Sequence, residues 1–153
     1  MNCIKNFEDL VIWQKARSLS NLVYPLTFIE PISLDFRYKD QLRGVCSNVM
    51  DNIAEGFDRG NKKEFIECLY STKRELVKLK SQLYRGLDNK YFFKEDFNEL
   101  YKLADELSKM LGCLISYLKR KKIKEKKMLS SIDKCNFKQK VKKPCGLFYL
   151  LTE

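Results

Sequence analysis

Apolar residues recur along this chain in steps of three and four, interrupted by short polar stretches. In the first such segment they fall at Ile12, Ala16, Leu19, Val23 and Leu26. Residues three and four apart share one face of an α-helix, so this segment is predicted to be an amphipathic helix. Asp9 is placed to cap its start. Pro25 is predicted to kink or close it, because proline has no backbone N–H.

Two further segments repeat this pattern. The second helix is predicted to begin near Asp35, with its apolar row at Tyr38, Leu42, Val45, Val49 and Asn52. The third is predicted to run from about Lys62 to Leu87, with its row at Phe65, Leu69, Thr72, Leu76, Leu79, Leu83 and Gly86. Glycine inside a helix costs about 1 kcal/mol relative to alanine, so Gly44 predicts a close approach by another helix.

A fourth helix is predicted to start near Lys94 or Glu95, after the aromatic run Tyr91-Phe92-Phe93, which is predicted to cover the core. Its seam is formed by Phe97, Leu100, Ala104, Leu107, Leu111, Leu114 and Leu118. A second apolar side of this helix comprises Tyr101, Leu103, Met110, Ile115 and Tyr117. Because exposed apolar faces commonly meet a partner subunit, the chain is predicted to form a homo-oligomer.

Four amphipathic helices of about twenty residues, joined by short turns, favour an all-α fold, an up-down-up-down antiparallel four-helix bundle. Residues 1–118 are the predicted bundle domain, and residues 119–153 are a basic C-terminal extension. The apolar segment 146–151 lies near the end of this extension. It leaves two alternatives open: a short element docked on the body or on another chain, or a mobile end.

The segment 51–61 is predicted to hold the end of the second helix, a turn and the start of the third. Gly56 and Gly60 are predicted to take the positive φ that a helix exit needs. Asn61 precedes Glu64 by three residues, which is the spacing of a capping box.

Two polar residues, Asn52 and Glu55, continue the apolar row of the second helix. Buried amides and carboxylates are usually hydrogen-bonded, so both are predicted to be buried and tied to neighbouring backbone. The alternative is a catalytic carboxylate, which no base, nucleophile or metal ligand accompanies. The chain has no P-loop, no GxGxxG and no histidine, and it is therefore predicted not to be an enzyme.

Positive charge is concentrated at one end of the chain, whose net charge is +10. Residues 1–118 hold 18 Lys/Arg and 17 Asp/Glu, whereas residues 119–153 hold 12 and 3. This asymmetry predicts an arm for polyanions, either nucleic acid or an anionic surface; the alternative is a solubilising tail. The arm's first basic residues are Lys119, Arg120, Lys121, Lys122, Lys124, Lys126 and Lys127.

The six cysteines include no Cys-x-x-Cys pair, so neither a zinc site nor any cofactor is predicted. Cys46, Cys68 and Cys113 are expected to act as small apolar residues in a reducing compartment. The sequence assigns no role to Cys135 and Cys145. No apolar run has the roughly 18 residues of a membrane span, and no signal-peptide pattern is present. A cytoplasmic protein without membrane contact is therefore expected.

Several motifs resemble those of the 23S ribosomal RNA intervening-sequence proteins, also called the four-helix bundle protein family. They are Phe7-Glu8-Asp9-Leu10, Trp13-Gln14-Lys15-Ala16, Gln41-Leu42-Arg43, Ser81-Gln82-Leu83-Tyr84 and the signature Asn52, Glu55, Gly56 and Arg59. The resemblance implies four antiparallel helices in a ring-like homo-oligomer, a pentamer. A related protein, the accessory variability determinant of diversity-generating retroelements, binds nucleic acid through a positive surface and associates with a reverse transcriptase. No catalytic residue set carries over.

The chain departs from the family pattern on its third helix, where Arg74 and Lys78 add positive charge. Candidate nucleic-acid contacts there are Lys73, Arg74, Lys78, Lys80 and Arg85. The alternative is an ordinary solvated helix face, because Glu67 and Glu75 lie nearby.

Together these features predict an oligomeric, non-enzymatic accessory protein that binds nucleic acid, RNA in particular, and acts with a reverse transcriptase or another nucleic-acid enzyme. The alternative function is a scaffolding module that recruits a protein partner through the fourth helix and the apolar C-terminus.

Overall fold

The chain folds into four α-helices, and the computed structural model describes residues 4–120. The helices are α1 Val11–Leu26, α2 Phe36–Asp58, α3 Lys62–Asp88 and α4 Lys94–Arg120. Single 3-10 turns, Phe7–Asp9 and Ile32–Leu34, precede α1 and α2. No strand occurs within the described part of the chain, and the all-α prediction is confirmed. None of the four helices is both long and apolar enough to span a membrane.

Each helix packs against the next one along the chain, and α1 also packs against α4. Short connections make consecutive helices antiparallel, so the four close into the predicted bundle. One end carries the α2–α3 turn and the end of α4, where the basic extension begins; we call it the tail end. The opposite end carries the α1–α2 and α3–α4 connections, and we call it the loop end.

The predicted apolar rows form the core. Every predicted seam position of α3 and α4 is buried, including Thr72, whose hydroxyl donates to the Cys68 carbonyl oxygen at 2.9 Å. In α1 the row is buried from Ile12 to Val23, whereas Leu26 in the last turn is only partly covered. Periodicity alone therefore located the core of the two longest helices.

The starts of α1 and α2 are capped differently. The second helix begins beside Asp35, as predicted, and Asp35 is its N-cap, with its Oδ1 accepting the Tyr38 N–H at 2.9 Å. The prediction for Asp9 is wrong, because α1 starts two residues later and its N-cap is Leu10. Asp9 accepts instead from the backbone N–H groups of Lys5 at 2.9 Å and Asn6 at 3.1 Å. Those two bonds keep the pKa of Asp9 below its usual value.

Pro25 lies in the last turn of α1, and the helix ends one residue later, as predicted. The turn between α2 and α3 also follows the prediction: Gly60 adopts φ 65°, and the Asn61 side chain accepts the Lys63 N–H at 2.9 Å. The Glu64 carboxylate, predicted to complete a capping box, lies on the Arg59 guanidinium at 3.2 Å.

Two glycine predictions are wrong. Gly44 faces open space, since a Cβ there would meet no atom within 4 Å. Gly56 is helical and buried, and a Cβ on it would lie 2.5 Å from the Cys68 Cβ, so it permits α2 and α3 to approach closely. Gly86 plays the same role where α3 meets the Phe92 ring and the Tyr38 hydroxyl.

The cysteine and aromatic predictions hold only in part. Cys46 is buried, and burial raises the pKa of its thiol to about 12, whereas Cys113 is exposed. Phe92 is buried and Tyr91 partly so, but Phe93 is 79% exposed and covers no core. Cys113 and Phe93 were therefore predicted wrongly: each lies on a side of its segment that faces solvent.

The second apolar side of α4 is not free in the single chain. Ile115 is buried, and the other four residues predicted there pack partly buried against the core. Large exposed apolar side chains lie instead at the loop end. These loop-end apolar residues are Phe28, Ile29, Leu34, Phe36 and Phe93, each between 58% and 79% exposed. Any apolar contact with another molecule is better provided by this end than by α4.

Candidate nucleic-acid interface

The basic residues predicted on α3 divide between two sides of that helix. Arg74, Lys78 and Arg85 are exposed, on the side away from the core. The Arg74 Nη2 donates to the Ser71 hydroxyl at 2.8 Å, and the Lys78 ammonium pairs with Glu75 at 2.7 Å. Although Glu75 is largely buried, the Lys78 side chain is 61% exposed, so these cations remain accessible to solvent and to ligands.

Lys73 and Lys80 turn towards α4. The Lys80 Nζ lies 2.6 Å from Asp105 Oδ1 and 5.0 Å from the centre of the Tyr101 ring. The Lys73 Nζ lies beside Gly112, 3.6 Å from where a Cβ would stand. Of the five predicted α3 cations, these two therefore lie beside the face that Arg74, Lys78 and Arg85 share.

Asp105 lies between two cations on the α3–α4 side of the bundle. Hydrogen bonds from Lys109 and Lys80 lower the pKa of its carboxyl to about 2. Asp105 consequently stays ionised throughout the physiological range and offsets much of the Lys80 charge. Lys80 and Lys109 share this one carboxylate.

The tail end carries the first two residues of the predicted basic arm. The Lys119 ammonium donates to the Tyr70 hydroxyl at 2.8 Å and lies 4.9 Å from the centre of that ring. Arg120 is exposed and ends α4. The remaining predicted arm residues, Lys121, Lys122, Lys124, Lys126 and Lys127, lie outside the described residues.

The signature residues at the end of α2 differ from expectation. Glu55 is 56% exposed and pairs with Arg59, which also binds Glu64. Asn52 is only partly buried. The prediction of a buried polar pair is therefore wrong, because the buried face of α2 continues through Ile53, Gly56 and Phe57, and Asn52 and Glu55 lie beside it. Arg59, held by two carboxylates, has a raised pKa from these hydrogen bonds.

Sequence reasoning missed two arginines near the loop end, Arg43 and Arg37. Arg43 lies between the rings of Tyr24 and Phe28, at 4.4 and 4.6 Å from their centres, and its Nε donates to the buried Thr27 hydroxyl at 2.8 Å. Arg37 lines a pocket together with Arg85. The position of Arg43 on the side of α2 that faces the end of α1 could have indicated its contact with Tyr24 and Phe28. The pocket could not be found in this way, because it depends on contacts between segments distant in sequence.

No group of three or more Cys, Asp or Glu side chains is placed to hold a metal ion within the described residues, and the chain contains no histidine.

Four antiparallel helices closed around one core define an all-α four-helix-bundle protein. The chain belongs to the 23S rRNA-intervening sequence protein family, whose model matches residues 8–113, and this confirms the family resemblance of its motifs. A protein of unknown function from the S23 ribosomal protein family of Bacteroides thetaiotaomicron has a similar crystal structure, with TM-score 0.64 at 19% identity. That likeness covers 69% of this chain and 96% of the other, and at this identity it shows the fold alone. No curated protein matches the sequence.

Proposed function

We propose that this protein is a non-enzymatic nucleic-acid-binding accessory protein that contacts the phosphate backbone. The observation that carries the proposal is the uneven charge. Residues 4–120 hold 20 Lys/Arg and 17 Asp/Glu, whereas residues 121–153 hold 10 Lys and 3 Asp/Glu. A nearly neutral bundle thus ends, through Lys119 and Arg120, in a strongly cationic segment.

Cations on such a segment bind phosphates and release condensed counterions, which makes the affinity strong at low salt and weak at high salt. Phosphate contacts position a strand without reading its bases. The exposed Arg74 and Arg85 on α3 would add contacts from the bundle itself.

RNA is the favoured polymer because the family is named for an intervening sequence of 23S rRNA. We further propose that base specificity comes from a protein partner acting on nucleic acid, such as a reverse transcriptase. This second proposal is supported by the family resemblance of the motifs alone.

The test is a titration of single-stranded RNA and double-stranded DNA at several salt concentrations. The full chain is compared with a variant in which the ten lysines of 121–153 are replaced by glutamine, which keeps the length constant. If half of those lysines contact phosphates, the slope of log affinity against log salt falls by about 3.5, at roughly 0.7 per contact on a single strand. Absence of binding by the full chain at low salt would contradict the proposal.

The loop-end apolar residues support the proposed self-association, and they also favour the second candidate function, recruitment of a protein partner. We expect light scattering at micromolar concentration to give five times the 18.2 kDa mass of one chain. Replacing Phe28 and Phe93, both exposed at the loop end, by serine is expected to lower that mass. A monomer mass for the wild type would contradict self-association, and the loop end would then be a surface for a different protein.

A further inference from the structure

A shallow pocket of about 220 Å³ lies at the loop end, between the start of α2 and the end of α3. Its volume is several times the roughly 30 Å³ that a water molecule occupies in the liquid, so it has room for a phosphate group. The pocket, called here the Arg85 pocket, is lined by Asp35, Arg37, Tyr38, Gln41, Arg85 and Asn89.

The side-chain oxygens of Asp35 and Gln41 in the Arg85 pocket already accept hydrogen bonds. Both Asp35 oxygens accept, Oδ1 from the Tyr38 N–H at 2.9 Å and Oδ2 from the Tyr91 hydroxyl at 2.7 Å. These bonds keep the pKa of Asp35 below its usual value, so its carboxylate remains ionised and in place. The Gln41 Oε1 accepts from the Arg85 Nη2 at 2.8 Å.

The donors of the pocket, by contrast, have capacity to spare. A guanidinium carries five N–H donors and no acceptor, and Arg85 uses one donor on Gln41. Its guanidinium carbon lies 5.0 Å from the centre of the Tyr38 ring, which orients the group at the pocket wall. Within residues 4–120, neither Arg37 nor Arg85 forms an ion pair, although Lys78, Lys80 and other cations of the bundle do.

The pocket is concave and rich in donors, and it holds an ordered arginine without an ion pair beside a second arginine. Such a site is suited to an anion. Two arginines against one carboxylate leave one net positive charge, which is suited to one singly charged phosphate group. Guanidinium groups bind phosphate through paired N–H···O bonds, a geometry that a lysine cannot reproduce.

We propose that the Arg85 pocket holds one phosphodiester group of a bound RNA strand, with Arg37 and Arg85 as its ligands. The inference rests on the proposed function and gives it a fixed contact on the bundle, at the end opposite to the basic extension. Because the pocket is preformed, this contact sets where the strand crosses the bundle, while the extension supplies most of the salt-dependent affinity.

The experiment measures binding of a single-stranded RNA oligonucleotide to the full chain by fluorescence anisotropy at several salt concentrations. Arg85→Gln and Arg37→Gln are each expected to weaken binding by roughly tenfold, the size of one charge-assisted hydrogen bond. Each is also expected to flatten the salt slope by about 0.7. Arg85→Lys keeps the charge but loses the paired geometry, and it is expected to recover only part of the affinity.

The matched control is Arg17→Gln, which removes the same charge from an exposed position of α1 that lines no part of the pocket. It is expected to change the affinity less than twofold, as a surface charge outside the contact does. Arg37 is exposed, so its variant tests the pocket even if Arg85→Gln unfolds the chain.

Three results would overturn the assignment. If wild type binds RNA and the pocket variants match Arg17→Gln, the Arg85 pocket is not a contact and the proposed function stands. If inorganic phosphate alone binds as tightly as the oligonucleotide, the pocket serves a free anion. If the wild type does not bind RNA at low salt, the proposed function fails and the assignment fails with it.

Discussion

Replacing Gly86 by alanine will lower the free energy of unfolding by about 2 kcal/mol, although alanine is the better helix former. The added Cβ would overlap the Phe92 ring and the Tyr38 hydroxyl, and both side chains belong to the buried core. Overpacking of this kind costs up to about 3 kcal/mol, and the helical preference for alanine returns about 1 kcal/mol. Urea unfolding followed by circular dichroism, at constant protein concentration, measures the difference.

The control for this variant is Gly44→Ala in the interior of α2. A Cβ there meets no atom within 4 Å, so only the helical preference acts. This change is expected to raise the free energy of unfolding by about 0.5–1 kcal/mol. Equal stability of the two variants would show that the close packing around Gly86 is not a constraint in solution.

Truncating Leu76 to alanine will lower the free energy of unfolding by about 3 kcal/mol. Leu76 lies in the middle of α3 and is 0% exposed. Its removal deletes buried methyl groups and leaves a cavity in the core of a bundle whose neighbouring side chains cannot fully collapse into the space. The same urea unfolding experiment measures the loss.

The next residue in the chain provides the control. Val77 is 65% exposed on the same helix, so Val77→Ala removes methyl groups without creating a cavity. It is expected to change the free energy of unfolding by no more than about 0.5 kcal/mol. A loss at Val77 comparable to that at Leu76 would mean that this face of α3 is covered in solution, for example by another chain.

The cores of α3 and α4 could be predicted from sequence because a three-four rhythm sustained over 27 residues fixes which side of a helix is apolar. The same rhythm misled at Asn52 and Glu55, since the buried face of α2 passes to the neighbouring positions Ile53 and Gly56. Gly44 was also misread, although its position two residues after the buried Leu42 places it on the opposite side of α2.

The candidate interface was less predictable because its geometry depends on contacts between helices. Lys80 could be identified as basic from sequence, but its partner Asp105 lies 25 residues away on α4. Arg85 meets Gln41 across 44 residues, and only the antiparallel pairing of α2 and α3 brings them together. The Arg85 pocket therefore could not be found from residue spacing, which describes one helix at a time.

The antiparallel arrangement makes the two ends of the bundle chemically different. A rise of about 1.5 Å per residue makes α4 roughly 40 Å long, and this length separates its last residue, Arg120, from the loop end. Chains that associate through the loop-end apolar residues would keep their tail ends well beyond a Debye length of about 10 Å from the contact between chains. The start of each basic extension would then lie far from the contact between chains, whereas the Arg85 pocket would lie beside it, so a strand that reaches both would run along the length of the bundle.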